Sequence, residues 1–496
     1  MTISRRGFIG QTSTLAAVGA LGVPGILTRT TWAQEGQAAQ TSAKALPEIR
    51  VGVAGLNGRG SSLMNEFRKL PGVRVVALCD VDSNVLSKRA AQMKEAGFEV
   101  TTFNDFRQMI DGDTVDAVVI ATPNHWHALM SVWACDAGKH VYVEKPVSHV
   151  VTEGRDIVDA AKRNERVVQS GMHGRSSAAV RSAIAFAQSG ELGEVVCARG
   201  ICYKPRRSIG KVTGAQFVPP TIDYHRWLGP APYEALNRRS LHYDWHWHNT
   251  TGNGDLGNQG VHQMDIARWG AGHDRLPDSA WSAGGRVGYD DDGNTPNTQV
   301  AVLEYENGPP IIFEVRGLPQ NKAQQSEKWE MDRYHDMDIG VVLHCEDGEV
   351  RISKHYGHTM ALDKDGKIIK EWKGGGNHQA NFIDAIRAGD TSTLTAPIID
   401  GHLSAACGHL GLVSCDLGDD GTMVEAYEVA RSELAREAIS RMQQHMLANG
   451  VAPGTPIRVG RHIPVNPKTE RSSDRYATEL FTKDYRAPFL MPSKTT

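Results

Sequence analysis

From Ile49 onward, short β-branched runs alternate with stretches of helical periodicity. IRVGVAGL (49–56) precedes a helix over about 60–70, and VRVVALCD (73–80) precedes one over 83–96. DAVVIATP (116–123) precedes a helix over 127–137, and HVYVEKP (140–146) follows. Short β-branched strands, each followed by a helix, need crossover connections. They predict an α/β fold whose first domain, 48–170, is a doubly wound parallel sheet.

After Gly171 the strands lengthen: 195–203, 279–288, 298–307, 310–317, 341–347 and 348–354. Turn signals at Glu306-Asn307-Gly308 and Asp347-Gly348 predict hairpins, hence an α+β domain over 171–421 with a large, mostly antiparallel open sheet. Helices are expected at 175–189, 260–270, 378–388 and 399–413. Residues 422–447 repeat apolar positions at helical spacing. Beyond Gly454 the chain is Pro-rich and charged, yet it keeps Tyr485 and Phe489. Disordered tails seldom keep aromatics, so 422–496 is expected to be a helix followed by an arm docked on its own surface or a neighbour's.

The first 33 residues read differently. Arg5-Arg6 precedes a weakly apolar, glycine-dotted run, Leu15–Leu27, and Thr31-Trp32-Ala33 offers a cleavage site. This pattern predicts a twin-arginine export signal, with the export machinery as a partner and a periplasmic or otherwise exported product. The run falls short of the ~20 apolar residues of a membrane span, so no stable anchor is expected. Residues 34–47 read as a linker. A net charge of −3 excludes a strongly basic nucleic-acid binder. The seven cysteines are odd in number and lack a CxxC pair, which favours buried free thiols, with Cys197 and Cys202 as possible neighbours.

Candidate chemistry begins at Gly55-Leu56-Asn57-Gly58-Arg59-Gly60, between the first strand and its helix. Gly55 permits a tight turn and Gly60 a close helix–sheet approach, while the helix N-terminus offers N–H groups to a pyrophosphate. Asn57 stands where GxGxxG has its second glycine, displaced here to Gly58. Asp80, 20 residues past Gly60 at the end of the second strand, can accept bonds from ribose hydroxyls. With Asp82 close by, a ribose 2′-phosphate would meet two carboxylates, so NAD is expected rather than NADP; Arg59 is the one group that could approach a phosphate. Both aspartates could instead cap the next helix.

Ala121-Thr122-Pro123-Asn124-His125-Trp126-His127 and Gly138-Lys139-His140-Val141-Tyr142-Val143-Glu144-Lys145-Pro146 resemble motifs of the glucose–fructose oxidoreductase/inositol dehydrogenase/rhizopine-catabolism (Gfo/Idh/MocA) family. The similarity runs from about Ile49 to Cys415. It implies a Rossmann domain plus an α/β domain whose sheet forms the substrate site and often the interface of a homo-oligomer. It also implies an NAD(P)-dependent oxidoreductase acting on a secondary hydroxyl of a sugar, sugar derivative, cyclitol or glycoside. Thr122, Pro123, Asn124 and His127 match the turn along the nicotinamide half of the cofactor, and Glu144 and Lys145 the pair at the reaction centre. Gly254–Asp265 resembles the second-domain signature, with His262 in the catalytic position. The family's dehydrogenases usually carry Asp four residues earlier; here it is Asn258, which could orient an imidazole but not stabilise its charge. Asp255 or Asp265 could compensate. Some relatives, the NAD-dependent α-N-acetylgalactosaminidases, cleave glycosides with no net redox change, which is the alternative activity; a non-catalytic sugar-binding protein is the third.

In such chemistry His262 would accept the hydroxyl proton and Lys145 would stabilise the alkoxide. Leu241-His242-Tyr243-Asp244-Trp245-His246-Trp247-His248-Asn249 suits a sugar, with aromatic faces and a polar rim, or an aromatic core loop. His246 and His248 would point the same way on a strand and could bind a metal, but no Cys/carboxylate set accompanies them and no metal is assigned. His173, Arg175 and Tyr203 are further substrate-pocket candidates from their place at the domain junction.

Overall fold

The apolar runs form a six-stranded parallel sheet: β1 (Ile49–Ala54), β2 (Val73–Cys79), β3 (Thr101–Phe103), β4 (Ala117–Ile120), β5 (His140–Val143) and β6 (Val168–Ser170), ordered β3-β2-β1-β4-β5-β6. The connecting helices are α1 (Arg59–Phe67), α2 (Ser83–Glu95), α3 (Phe106–Ile110), α4 (Asn124–Asp136) and α5 (Val151–Arg163). This computed structural model describes residues 47–325 and 329–492. The expected export signal over 1–33 and nearly all of the 34–47 linker lie outside them. The order reverses between β1 and β4, which opens a crevice at the carboxyl ends of the strands.

The second domain continues with α6 (Ala178–Gln188), β7 (Val195–Tyr203), α7 (Tyr224–Leu228), α8 (Leu241–Asp244), α9 (Gly254–Gly257), α10 (Gly260–Gly270), β8 (Ser279–Gly285), β9 (Thr298–Glu304) and β10 (Ile311–Arg316). Then come β11 (Ile339–Cys345), β12 (Gly348–Ser353), β13 (His358–Asp363), β14 (Ile368–Lys373), α11 (His378–Ala388) and α12 (Ile398–Asp416). The C-terminal part contains β15 (Asp419–Gly421), α13 (Met423–Val429), α14 (Glu433–Ala448), β16 (Ile457–Val459), β17 (Ile463–Asn466), β18 (Arg471–Ser472) and α15 (Arg475–Leu480). Among the described residues the large sheet runs β14-β13-β12-β11-β7-β10-β9-β8-β16-β15, antiparallel except for β7 with β10.

The Rossmann sheet is covered on both faces, the large sheet on one face and part of the other. On the Rossmann sheet, Phe67 of α1, Tyr142 of β5 and Phe382 of α11 pack edge-on with ring centroids 5.5–6.2 Å apart. α11 therefore returns from the second half of the chain to complete the first domain. The opposite face is covered by α3, α4 and α5. On the large sheet, α6, α10 and α12 bury one face, and α13 and α14 cover part of the other.

The periodic stretch 422–447 is two helices. Ser432 accepts a hydrogen bond from Ala435 N and starts α14 anew, a cap that apolar periodicity alone does not reveal. All seven cysteines are free and buried. Cys197 and Cys202, five residues apart on β7, join cores on opposite faces of the sheet and are not neighbours. Among the described residues no helix is long and apolar enough to cross a membrane.

Candidate active site

Backbone crowding explains the glycine loop. A Cβ on Gly55, whose φ is 79°, would lie 2.7 Å from the backbone of Ala121 and Thr122. One on Gly60 would come within 1.6 Å of Gly55 O, so helix and strand can approach this closely only without side chains. Asp80 organises the loop: its Oδ2 accepts from Leu56 N at 2.7 Å and its Oδ1 from Asp82 N at 3.0 Å. Burial raises the Asp80 pKa and those two N–H groups oppose the rise.

Asp82 behaves otherwise. It caps α2 through Asn84 N at 3.0 Å and lies 2.9 Å from His242 Nε2, outside the cleft lining. The expected pair of carboxylates facing the ribose is thus Asp80 alone. Arg59 is tied to Glu144 Oε1 at 2.8 Å and Glu66 Oε1 at 3.0 Å, so it is not a free cation awaiting a 2′-phosphate.

A cleft of about 590 Å³ runs along the crevice. Gly55, Asn57, Gly58, Arg59 and Asp80 line one side; Thr122, Pro123, Asn124 and His127 line another. Gly60 is buried behind the loop. His127 braces the two motif turns, with ring nitrogens 2.6 Å from Pro146 O and 2.7 Å from Thr122 O. Asn124 Nδ2 donates to Asn253 Oδ1 at 2.9 Å and ties the turn to the second domain. The N–H groups of Asn57 and Gly58 have no partner among the described residues. With the α1 N-terminus behind them and one carboxylate at the end of β2, these residues fit a dinucleotide.

At the far end, Lys145 Nζ donates to Asn258 O at 2.9 Å and Asn258 Oδ1 at 3.2 Å. Desolvation depresses the Lys145 pKa to about 8, against the pull of Glu144. Asn258 therefore holds the lysine and not, as expected, the His262 ring. His262 sits in the first turn of α10, just outside the cleft lining, its ring centroid 4.7 Å from that of His173. Burial, then His173, Lys145, Lys204 and Arg59, push its pKa well below 6.5, so the imidazole is neutral.

Neither aspartate compensates for Asn258. Asp255 takes both its bonds from Arg206, at 2.6 and 2.7 Å. Asp265 accepts from Arg175 at 2.8 Å and from Ser404 Oγ at 2.7 Å. Arg175 is consequently a buried network residue, bonded also to Asp400 at 2.8 Å, and not a substrate contact. Tyr203 is buried too, donating to Glu314 Oε2 at 2.8 Å beside Arg316 and Arg441, away from the cleft. The 241–249 stretch is α8 and a 3-10 turn (Trp245–Trp247) rather than a strand, so His246 and His248 do not share a face. His246 lines the cleft, stacked on Trp245 at 3.6 Å, and burial lowers its pKa to about 3. His248 is buried and clear of the cleft.

Lys204 and, in the lining, Ser240, Arg226 and Phe489 lie outside the motifs singled out in the sequence. Lys204 stands beside the reaction end, its Nζ donating to Gln259 Oε1 at 2.6 Å. Ser240, His242, Arg226 and Phe489 enter the lining from two segments far along the chain. Only the aromatics retained in the tail hinted at Phe489. Away from the cleft, His335, His344 and Glu349 lie close enough to share a cation, but Arg351 Nη2 already donates to His335 Nδ1 at 3.0 Å.

Known proteins resemble this chain in sequence and fold. Residues 49–172 match the family model described as Gfo/Idh/MocA oxidoreductase, NAD-binding Rossmann fold, and residues 195–326 match its C-terminal alpha/beta domain. A protein named glycosyl hydrolase family 109 protein 2 from Shewanella sp. (strain ANA-3) is 31% identical over 210 residues, 39% of this chain and 46% of the relative. An α-N-acetylgalactosaminidase from Shewanella oneidensis is 32% identical over 152 residues, 29% of this chain and 33% of the relative. The chain thus spans less than half the length of the curated relatives it matches. Levoglucosan dehydrogenase, solved with NADH and levoglucosan, superposes with a TM-score of 0.54 at 18% identity, over 74% of this chain and 96% of that one. The WlbA dehydrogenase of Bordetella pertussis, solved with NADH and UDP-GlcNAcA, gives a TM-score of 0.52 at 18% identity, over 73% and 95%. With its motifs in register, its two domains matched over more than half its length, and the dinucleotide cleft between them, this chain belongs to the Gfo/Idh/MocA oxidoreductase family.

Proposed function

We propose that the protein is an exported, NAD-dependent enzyme acting on a secondary hydroxyl of a sugar or glycoside, with a dinucleotide it does not release between turnovers. One observation carries this reading: Lys145, held by Asn258 and with neutral His262 and His173 just behind the lining, shares one cleft with Asp80 and the glycine loop. NAD, when bound, supplies the acceptor for the hydride of the carbinol carbon. His262, uncharged, accepts the hydroxyl proton; protonated Lys145 stabilises the oxyanion while the C–H bond breaks. Lys204, which among the described residues donates from its Nζ to an amide oxygen, offers a second cationic head to an oxygen-rich substrate.

The second reading is redox-neutral cleavage: oxidation at C3, loss of the aglycone across C1–C2, addition of water, and return of the hydride. The names of the curated relatives favour it. Export as a folded protein suits either course, because a dinucleotide loaded in the cytoplasm would have to be regenerated in place outside it. The resemblance also leaves homo-oligomerisation as part of the proposal.

A glycoside and sugar panel separates the two readings when bound-cofactor absorbance and aglycone release are followed together. Aglycone release without net reduction identifies the hydrolytic cycle; net reduction without release identifies the dehydrogenase. A panel that changes neither signal, with cofactor bound, contradicts both.

A further inference from the structure

The C-terminal arm crosses from the second domain onto the first and ends at the cleft. Phe481 O accepts from Thr152 N and Thr152 Oγ1, both at 3.0 Å, where the arm leaves α15. Lys483 Nζ lies 2.6 Å from Glu153 Oε1, and Tyr485 Oη donates to the same oxygen at 2.6 Å. Glu153 is a buried carboxylate on α5, and Lys483 holds its pKa below the ordinary value against desolvation. Arg486 then donates to His225 O at 2.7 Å and Ala231 O at 3.1 Å. These bonds fix the chain just ahead of Phe489.

Phe489 is 2% exposed and lies edge-on to Trp126 of α4, with ring centroids 5.3 Å apart. The Arg107 guanidinium lies 5.6 Å from its ring centroid, and Arg107 is bonded in turn to Asp105, just past β3. Asp105, Phe489 and Trp126 all line the cleft, and Asp105 follows β3, which pairs with β2 next to Asp80. If Asp80 meets the ribose next to the adenine, the base itself falls among these three residues.

We infer that the C-terminal arm is part of the dinucleotide site: Phe489 walls the adenine end, and the docked arm sets how slowly the cofactor leaves. This rests on the reading of the cleft as a dinucleotide site. The arm occupies the rim that an adenosine moiety must cross, and its anchors on Glu153, His225 and Ala231 must open before Phe489 can move. Because the wall is a segment that can undock, the cofactor can leave without unfolding of the domain, and the strength of the arm's anchors sets the release rate.

The full-length protein is loaded with NADH, and its release is followed by fluorescence during a chase with excess NAD. Phe489→Ala is expected to release NADH at least about tenfold faster, the scale of one lost aromatic contact plus a looser wall. Tyr485→Phe, which removes one anchor, should shift release the same way by a smaller factor and serves alone if Phe489→Ala fails to fold. Phe489→Tyr should keep the slow release. Affinity for ADP-ribose should fall with Phe489→Ala, while affinity for reduced nicotinamide mononucleotide, which lacks the adenosine, should not. Unchanged release in both folded variants, or equal loss of affinity for the mononucleotide, would overturn the inference while leaving the cleft assignment intact. A parent protein that binds no dinucleotide would overturn both.

Discussion

Replacing a carboxylate by an amide at position 258 changes the chemistry of a lysine, not of a histidine. Asn258 offers Lys145 two neutral oxygens, so desolvation is not offset there by an opposite charge and the ammonium titrates near pH 8. Its charge, which the reaction uses, is present below that pH and lost above it. His262 stays neutral because burial has moved its titration well below 6.5. Turnover on a substrate from the panel should therefore be flat from about pH 6 and fall above about pH 8. Asn258→Asp should move that limb upward by about one unit or more, the effect of an opposite charge in contact. A limb at pH 6.5, or a limb unmoved in the variant, would contradict these assignments. The residues of this site were legible as motifs, because turns and helix starts are local. Their partners were not: Asn258 and Lys145 are 113 positions apart, and nothing along the chain says which of two nearby side chains an amide will face.

Elements show the same division. β1, β2 and β4 announce themselves as largely apolar runs, interrupted only by Arg50 and Arg74 near the strand starts, because both faces of their sheet are covered. β3 does not, since Thr101–Phe103 is three residues long and mostly exposed. The 241–249 stretch alternates aromatic and polar residues as a strand would, yet it folds as α8 and a 3-10 turn with Asp244 Oδ2 accepting from Ser240 N at 2.8 Å. Arg175 looked like a pocket cation because it follows the domain junction. It belongs instead to a buried set joining the turn before α6, α10 and α12, where Asp265 and Asp400 balance Arg175 and Arg268. Asp265→Asn keeps the shape but leaves two buried guanidinium groups facing one carboxylate. Equilibrium denaturation should register a loss of about 3–5 kcal/mol, the cost of breaking a buried ion pair. A loss below about 1 kcal/mol would show that water or rearrangement relieves those charges, as at an exposed pair.

At the scale of the whole molecule, the dinucleotide cleft is closed by pieces of chain that are not part of the Rossmann sheet. The segment before α7 packs along the Asp80 end: Ser83 N donates to Thr221 O at 2.9 Å and Asp223 N to Val81 O at 3.0 Å. In the proposed reading the C-terminal arm walls the same end through Phe489. Long contacts of this kind, made once when the chain folds, suit the proposed loading of the cofactor before export. The measurement that bears most directly on this account is to recover the mature protein from the exported fraction, without added cofactor, denature it, and weigh the released nucleotide by mass spectrometry. The account predicts about one NAD or NADH per chain, with NADP a minor species, the ratio expected of the single ribose-facing carboxylate at Asp80. A nucleotide-free protein that turns over only when NAD is added would contradict it.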